Sequence, residues 1–207
     1  MYLDNVQPPN IPDDFFFWLK KTSEEHWAHV EINRDIYGFQ VQKDTKWLRG
    51  LSDEEIAKYE QEMGFSFPDI YKTYLRHMNG TEKPTINVYG ECGDPYRYAS
   101  GYYSYPRDLD VVKDMIKWIH NDFGVTPEAI EENEIPHIMP IVSHRFLVVD
   151  RCARNPVLSM YGSDTILYAP SLESFTVNDI FRAHSIVSVV NEPAIEVDFW
   201  LDDEANI

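Results

Sequence analysis

The stretch from residue 51 to residue 82 constrains the fold of this chain more than any other part of the sequence. It reads LSDEEIAKYEQEMGFSFPDIYKTYLRHMNGTE. Ser52 and Glu55 have the spacing of a capping box, which predicts the first turn of a helix. Gly64 favours the left-handed conformation that ends a helix, and Pro68 suits the first turn of the next one. The stretch therefore predicts two short helices joined by a tight turn.

The apolar residues of this helical hairpin recur at helical spacing, so each helix has one face to bury. We expect Asn79-Gly80 to stop the second helix. The segment 13–30 has a similar spacing and predicts an earlier helix, and 172–181 predicts a late one. Short apolar segments bounded by turn residues are typical of strands. These predicted strands are 37–42, 85–89, 137–142, 145–150, 156–162, 165–169 and 186–190.

Helices come first along the chain and consecutive strands come afterwards, which predicts an α+β fold and not a βαβ repeat. We expect a single domain in which the helical hairpin packs on a mainly antiparallel sheet of about five or six strands. Residues 1–50 would form an N-terminal helical extension, residues 51–190 the α+β core, and residues 191–207 an acidic C-terminal tail.

The charge of the chain is strongly negative. Its 207 residues include 35 Asp or Glu against 18 Lys or Arg, a formal net charge of −17 at pH 7. Such a surface repels phosphate backbones and attracts basic proteins. We therefore expect a protein partner and no direct contact with nucleic acid.

No apolar run is long enough to span a bilayer, and the first residues lack the features of a secretory signal. We therefore expect no membrane association. The cysteines, Cys92 and Cys152, lack metal or redox spacing, and a reduced cytoplasmic location agrees with that. The oligomeric state stays open at this point.

Residues with catalytic or metal-binding chemistry are present but do not form known patterns. His26, His29 and Glu31 lie close in sequence, yet a zinc site needs a further spaced ligand. Cys152 has arginines nearby, which lower a thiol pKa, but no helix N-terminus follows it. There is no nucleophile elbow, phosphate-binding loop or dinucleotide motif. The sequence therefore predicts no catalytic residue, no metal and no cofactor.

The sequence also disfavours a DNA-binding helix-turn-helix and a Ser-His catalytic site. A helix-turn-helix protein would read DNA with its second helix, which offers Lys72, Arg76 and His77 in a strongly anionic chain. Ser143-His144 is an adjacent pair, whereas catalytic triads are assembled in space.

A Gly- and Tyr-rich segment, residues 90–107, is predicted to be a loop or an irregular hairpin. Tyr is favoured at interfaces because it brings a large apolar area and a hydroxyl at low entropic cost. Tyrosines that fill a sheet face are the competing interpretation. We predict partner binding through this segment, by Glu91, Asp94, Tyr96, Tyr98, Tyr102, Tyr103 and Tyr105.

The hairpin resembles the SUKH superfamily of bacterial toxin-immunity proteins. The pattern of that superfamily has an acidic residue in the first helix, a Gly, an apolar-Pro pair, a Tyr and a Leu in the second helix, and a closing Asn-Gly. The matching residues are Glu60, Gly64, Phe67, Pro68, Tyr71, Leu75, Asn79 and Gly80. IPHIMPIVSHRFLVVDRCARNPVLSMY and SLESFTVNDIF resemble the core strands and the following helix, so the likeness covers about 51–183.

The resemblance implies structural roles for these motif residues and a function of binding without catalysis. It implies an immunity protein that neutralises a cognate toxin, often a nuclease or a deaminase-like domain. The mechanism that we expect is stoichiometric occlusion of a basic toxin. A regulatory scaffold with host partners is an alternative, because fungal relatives regulate cell-wall assembly. A small hydrolase is a further alternative. The sequence departs from the pattern at His144-Arg145, where many members have a Gly-rich turn.

Overall fold

The computed structural model describes residues 8–88, 96–97, 101–152, 154–181, 195 and 197–201, with backbone only at 96–97. The predicted strand at 186–190 and most of the acidic tail lie outside these residues. The elements in chain order are α1 (Pro12–Trp27), β1 (Gly38–Gln40), β2 (Trp47–Arg49), α2 (Asp53–Met63), α3 (Asp69–His77), β3 (Met78–Thr81), β4 (Ile86–Val88), β5 (Tyr96–Arg97), α4 (Leu109–Asp122), α5 (Pro127–Glu132), β6 (Ile138–Val142), β7 (Arg145–Val148), β8 (Val157–Tyr161), β9 (Asp164–Ala169) and α6 (Leu172–Phe181).

The α+β class and the antiparallel pairing are confirmed, since every described strand pair is antiparallel. The expectation of one sheet is wrong. The described strands form three sheets, with the orders β1-β4-β5, β2-β3 and β6-β7-β8-β9. β2 and β3 are too short to show an alternating pattern, and they pair across the whole hairpin, so the sequence did not reveal them.

The helical hairpin forms as its local signals predict. Glu55 donates its backbone N–H to Ser52 Oγ at 3.2 Å, and Ser52 donates its backbone N–H to Glu55 Oε2 at 2.8 Å, which completes the capping box. Gly64 ends α2 with a φ of 84°. The carboxylate of Glu60 accepts the backbone N–H of Phe67 at 2.6 Å and lies 2.9 Å from Lys72 Nζ. One side chain of α2 therefore holds the start of α3 in place.

Helix α1 is part of the main core. Phe15, Phe16 and Leu19 of α1 are buried in the same cluster as Tyr74 and Leu75 of α3. The rings of Phe16 and Tyr74 meet edge to face, with their centroids 5.7 Å apart. The N-terminal segment thus covers the apolar face of the hairpin and shares its core.

The Asn79-Gly80 pair does not stop a helix. Helix α3 ends at His77, and both residues are buried in strand β3. Asn79 Nδ2 donates to the Tyr105 carbonyl at 2.6 Å, and Asn79 Oδ1 accepts the Tyr105 N–H at 2.8 Å. The amide side chain thus pairs with the backbone of a segment 26 residues away, which a local reading of turn residues does not anticipate.

Gly80 allows residues 102–104 to pack closely against strand β3. Its φ is 74°, and a Cβ built on it would lie 2.6 Å from Ser104 Cβ and 2.6 Å from the Tyr102 carbonyl oxygen. The buried Asp108 carboxylate accepts the backbone N–H of Ser104 at 2.8 Å and its hydroxyl at 3.1 Å. The motif therefore docks the end of the tyrosine segment against the hairpin.

Candidate functional site

Of the predicted partner-binding tyrosines, the structure describes the side chains of Tyr102, Tyr103 and Tyr105. Tyr102 is 1% exposed and Tyr105 is 6% exposed, so these two are core residues and not surface anchors. The Tyr105 ring stacks on Tyr59 with the centroids 4.3 Å apart. Tyr103 is half-buried, and its hydroxyl donates to the Ser143 carbonyl at 3.4 Å. For Tyr102 and Tyr105, hydrophobic burial explains the tyrosine content better than an interface does.

The other predicted contacts are not described as side chains. Glu91, Asp94 and Tyr98 lie outside the described residues, and Tyr96 is described only through its backbone, which pairs with Asn87 in the β1-β4-β5 sheet. Their role in binding stays a prediction.

A groove of about 710 Å³ lies beside that sheet. The end of α1, strand β1, the β6–β7 turn and α6 form its walls, and half of its lining residues are aromatic or aliphatic. The lining includes Tyr37, Phe39, Val142, Tyr168, Ile180 and Phe181. The buried Tyr102 also lines the groove, where its hydroxyl donates to Asp179 Oδ2 at 2.5 Å. Burial and the neighbouring Asp179 raise the pKa of Tyr102 well above its ordinary value, so the phenol stays protonated.

Arg145 adds a positive charge to the groove wall, but its guanidinium already contacts other side chains of this chain. It lies 4.0 Å from the Tyr168 ring centroid and donates to Ser159 Oγ at 2.6 Å. Burial, and then the charge of Arg145, lower the pKa of the neighbouring His144 to about 4. The His144 ring is therefore neutral at pH 7 and adds no charge to this wall.

No catalytic constellation forms around His144. Its Nδ1 lies 3.0 Å from Ser143 Oγ, but no carboxylate of the described chain bonds to the ring to orient it as a general base. Cys152 is equally unpromising, because burial and the charge of Asp150 raise its thiol pKa to about 11. A thiol with that pKa is protonated and a poor nucleophile at neutral pH.

His26, His29 and Glu31, which are close in sequence, lie in different surroundings. The His26 ring packs against Phe181 with the centroids 5.3 Å apart, while His29 and Glu31 are exposed. Within the described ranges, no group of three or more His, Cys, Asp or Glu side chains is placed to hold a metal ion. These ranges also contain no helix that is long and apolar enough to cross a membrane.

The basic side chains of α3 are all engaged by carboxylates of this chain. Lys72 pairs with Glu60, Arg76 Nε lies 2.8 Å from Asp53 Oδ1, and His77 Nε2 lies 2.7 Å from Asp13 Oδ1. A recognition helix would present such groups to bases and phosphates. The pairing therefore opposes a DNA-reading role for the hairpin.

Exposed apolar side chains lie on strands β8 and β9 at the end of the four-stranded sheet, and the sequence did not predict them. Tyr161 is 70% exposed, Ile166 57% and Leu167 40%. The Trp118 ring of α4 packs edge to face on Tyr161 with the centroids 5.4 Å apart, which extends the apolar surface. The available signal in the sequence was the segment TILYA at 165–169, which contains no charged residue to protect a sheet edge.

Comparison with protein families gives one finding. The model of a family described as "SMI1 / KNR4 family (SUKH-1)" matches residues 50–176. The match contains the whole helical hairpin and the β6-β7-β8-β9 sheet, and it agrees with the extent expected from the sequence. Searches of curated proteins and of solved structures gave no significant match.

Proposed function

Because the chain belongs to the SMI1 / KNR4 family (SUKH-1), we propose that it is a non-catalytic immunity protein that binds a basic, nuclease-like toxin and blocks it stoichiometrically. The family assignment carries the proposal, and the net charge of −17 supports it. A toxin that acts on nucleic acid needs a basic surface, to which this chain is electrostatically complementary.

The charge also suits the kinetic task of an inhibitor. Complementary fields raise association rates to about 10⁸–10⁹ M⁻¹s⁻¹ at low salt, against about 10⁵–10⁶ without steering. An immunity protein must reach its toxin before the toxin finds its substrate. We place the complex in the cytoplasm, where nucleic acid is the substrate at risk.

Two surfaces of the described chain suit protein binding. The groove offers aromatic walls, and the exposed side chains of Tyr161, Ile166 and Leu167 on strands β8 and β9 offer apolar area. Aromatic anchors of this kind dominate many interfaces. We further propose that Glu91 and Asp94, which lie outside the described residues, provide carboxylates for Arg or Lys of the partner.

Calorimetric titration tests the proposal. The probe is the C-terminal domain of a large secreted protein encoded next to this chain, titrated at about 50 mM and about 300 mM salt. We expect a one-to-one complex of nanomolar affinity that weakens at the higher salt concentration. A well-folded candidate that does not bind, or an affinity that salt leaves unchanged, would count against the proposal and favour a regulatory scaffold.

A further inference from the structure

The two edges of the β6-β7-β8-β9 sheet differ in how they are covered. At the β6 edge, Tyr102 forms a β-bridge with Val142, and Tyr103 donates its backbone N–H to the Ile141 carbonyl at 3.0 Å. Pro140 further interrupts the donors along β6. At the other edge, no described strand pairs with the outer side of β9.

Among the described residues, no covering segment or protective Lys or Pro is found at the outer edge of strand β9. It is six residues long, the longest strand described, and Asp164 is its only charged residue. Natural proteins usually protect such an edge with Lys, Pro or a covering segment, because unpaired backbone groups recruit other strands. Here Ile166 and Leu167 are exposed instead, at 57% and 40%.

The register identifies which backbone groups face outward. Met160 of β8 donates its N–H to a carbonyl of the β6–β7 turn, on the β7 side. Backbone groups alternate sides along a strand, so Ser159 bonds toward β9, where its register partner is Ile166. Ile166 therefore bonds inward to β8. The N–H and C=O groups of Thr165 and Leu167 point to the outer edge.

We propose that the outer edge of β9 binds an extended, basic segment of the partner protein as an additional strand. Main-chain hydrogen bonds at Thr165 and Leu167 would provide affinity, and Ile166 and Tyr161 would pack against alternate side chains of the segment. This inference rests on the proposed function, because the partner it names is the toxin.

Charge selects this occupant over a second copy of the chain. Pairing two β9 edges would bring together two molecules that each carry −17. Two exposed carboxylates lie at the turn that begins β9. Asp164 is the first residue of the strand, and Asp122 Oδ2 lies 3.1 Å from the position of a Cβ on Gly162. A Lys or Arg at the end of an incoming strand meets these carboxylates.

Amide hydrogen exchange on the full-length protein, read by NMR, tests the proposal. The probe is a capped peptide, Lys-Thr-Val-Thr-Val-Lys, and its control is the same peptide with Glu at both ends. We expect the amides of Thr165 and Leu167 to exchange rapidly in a monomeric protein. Saturation with the basic peptide should slow both at least tenfold, and the acidic peptide should leave them unchanged.

Variants separate strand pairing from general attraction. Thr165→Pro removes an outward N–H without removing a bond to β8, and should abolish the protection by the peptide. Ile166→Lys should weaken peptide binding, whereas Val111→Lys on α4, an equally charged change at a 41% exposed site, should not. Equal weakening by both would show that net charge alone acts, and would overturn the proposal.

The remaining outcomes are also decisive. Protection of Thr165 and Leu167 in the free protein would show that the edge is already covered, by this chain or by a second copy, and would overturn the proposal. Toxin binding that Thr165→Pro leaves intact would overturn it and leave the proposed function standing. Peptide binding without binding of any neighbouring toxin domain would count against the proposed function, and would show that the edge binds basic strands whatever protein carries them.

Discussion

The surroundings of Asn79 and strand β9 differ in whether their buried polar groups are hydrogen-bonded. The Asn79 side chain satisfies both backbone groups of Tyr105, and Asp108 satisfies Ser104, all in buried positions. On β9, the buried Thr165 Oγ1 has no hydrogen-bond partner, and Ile166 is exposed. The family motif therefore lies where the fold is assembled. The exposed apolar side chains of β9 lie outside the motif residues.

This comparison teaches that Asn79 and Gly80 join distant parts of the core, whereas Ile166 and Leu167 of β9 lie exposed. The motif residues contact one another and the tyrosine segment, so any change there affects stability. Under the proposed immunity function, a surface that discriminates between toxins must vary, and an exposed position such as Ile166 can vary without disturbing the core. The predictions below test whether the two regions separate in this way.

The largest effect is expected for Gly80→Ala. The new Cβ would clash with Ser104 Cβ and the Tyr102 carbonyl at 2.6 Å, at a φ of 74° that disfavours any side chain. We expect the free energy of unfolding to fall by about 3 kcal/mol or more in urea denaturation. Gly64→Ala is the matched control, because its φ is 84° and nothing lies within 4 Å of a Cβ. It should cost only about 1 kcal/mol, and equal losses would contradict the role given to Gly80.

The next contrast pairs Asn79→Leu with Thr165→Val. Asn79→Leu leaves the N–H and the carbonyl of Tyr105 buried and unpaired, at a cost of about 2–3 kcal/mol. Thr165→Val removes a buried hydroxyl that has no partner, so stability should stay unchanged or rise by up to about 1 kcal/mol. Chemical denaturation of both variants measures the difference. An equal loss of stability in the Thr165→Val and Asn79→Leu variants would contradict the proposed difference between the two regions.

A smaller loss is expected for Glu60→Gln. The amide oxygen can still accept the Phe67 N–H, but the charge that faces Lys72 at 2.9 Å disappears. We expect a cost of about 1 kcal/mol, and a coupling of similar size in a double-mutant cycle with Lys72→Met. Absence of coupling would show that Glu60 acts through the Phe67 hydrogen bond alone.

At neutral pH the smallest effect is expected at His144 in the groove, because this residue affects stability only in acid. His144 has a folded pKa of about 4, below its ordinary value of 6.5, so the unfolded chain binds the proton more tightly. Its contribution to stability is therefore full above pH 6.5 and is lost as the pH falls toward 4. Denaturation at a series of pH values should show a shallower acid loss for His144→Gln than for the wild type. The control His29→Gln, at an exposed site outside the groove, should retain the wild-type slope.

Local signals predicted most of the helices and the four consecutive strands. The capping box at Ser52, the left-handed Gly64 and the segment 172–181 all act through neighbours in sequence, and the structure confirms each. These features depend on short-range chemistry that a single sequence displays.

Long-range contacts explain what the sequence did not reveal. Tyr102 and Tyr105 look like interface anchors until Asn79 and Asp179 are known to bond to them from distant parts of the chain. Strand β3 was hidden for the same reason, because its pairing with β2 crosses the entire hairpin. The open side of β9 appears only when the strand order of the sheet is known.

Titration of the toxin's enzymatic activity tests the central claim most directly. The neighbouring toxin domain is held at fixed concentration, and its activity is followed as this protein is added in increasing amounts. Stoichiometric occlusion predicts that activity falls linearly and vanishes at one molecule of this protein per toxin. Loss of activity at a small fraction of that ratio would reveal catalytic inactivation, and full activity at excess inhibitor would reveal no neutralisation. Either result would contradict a non-catalytic immunity function.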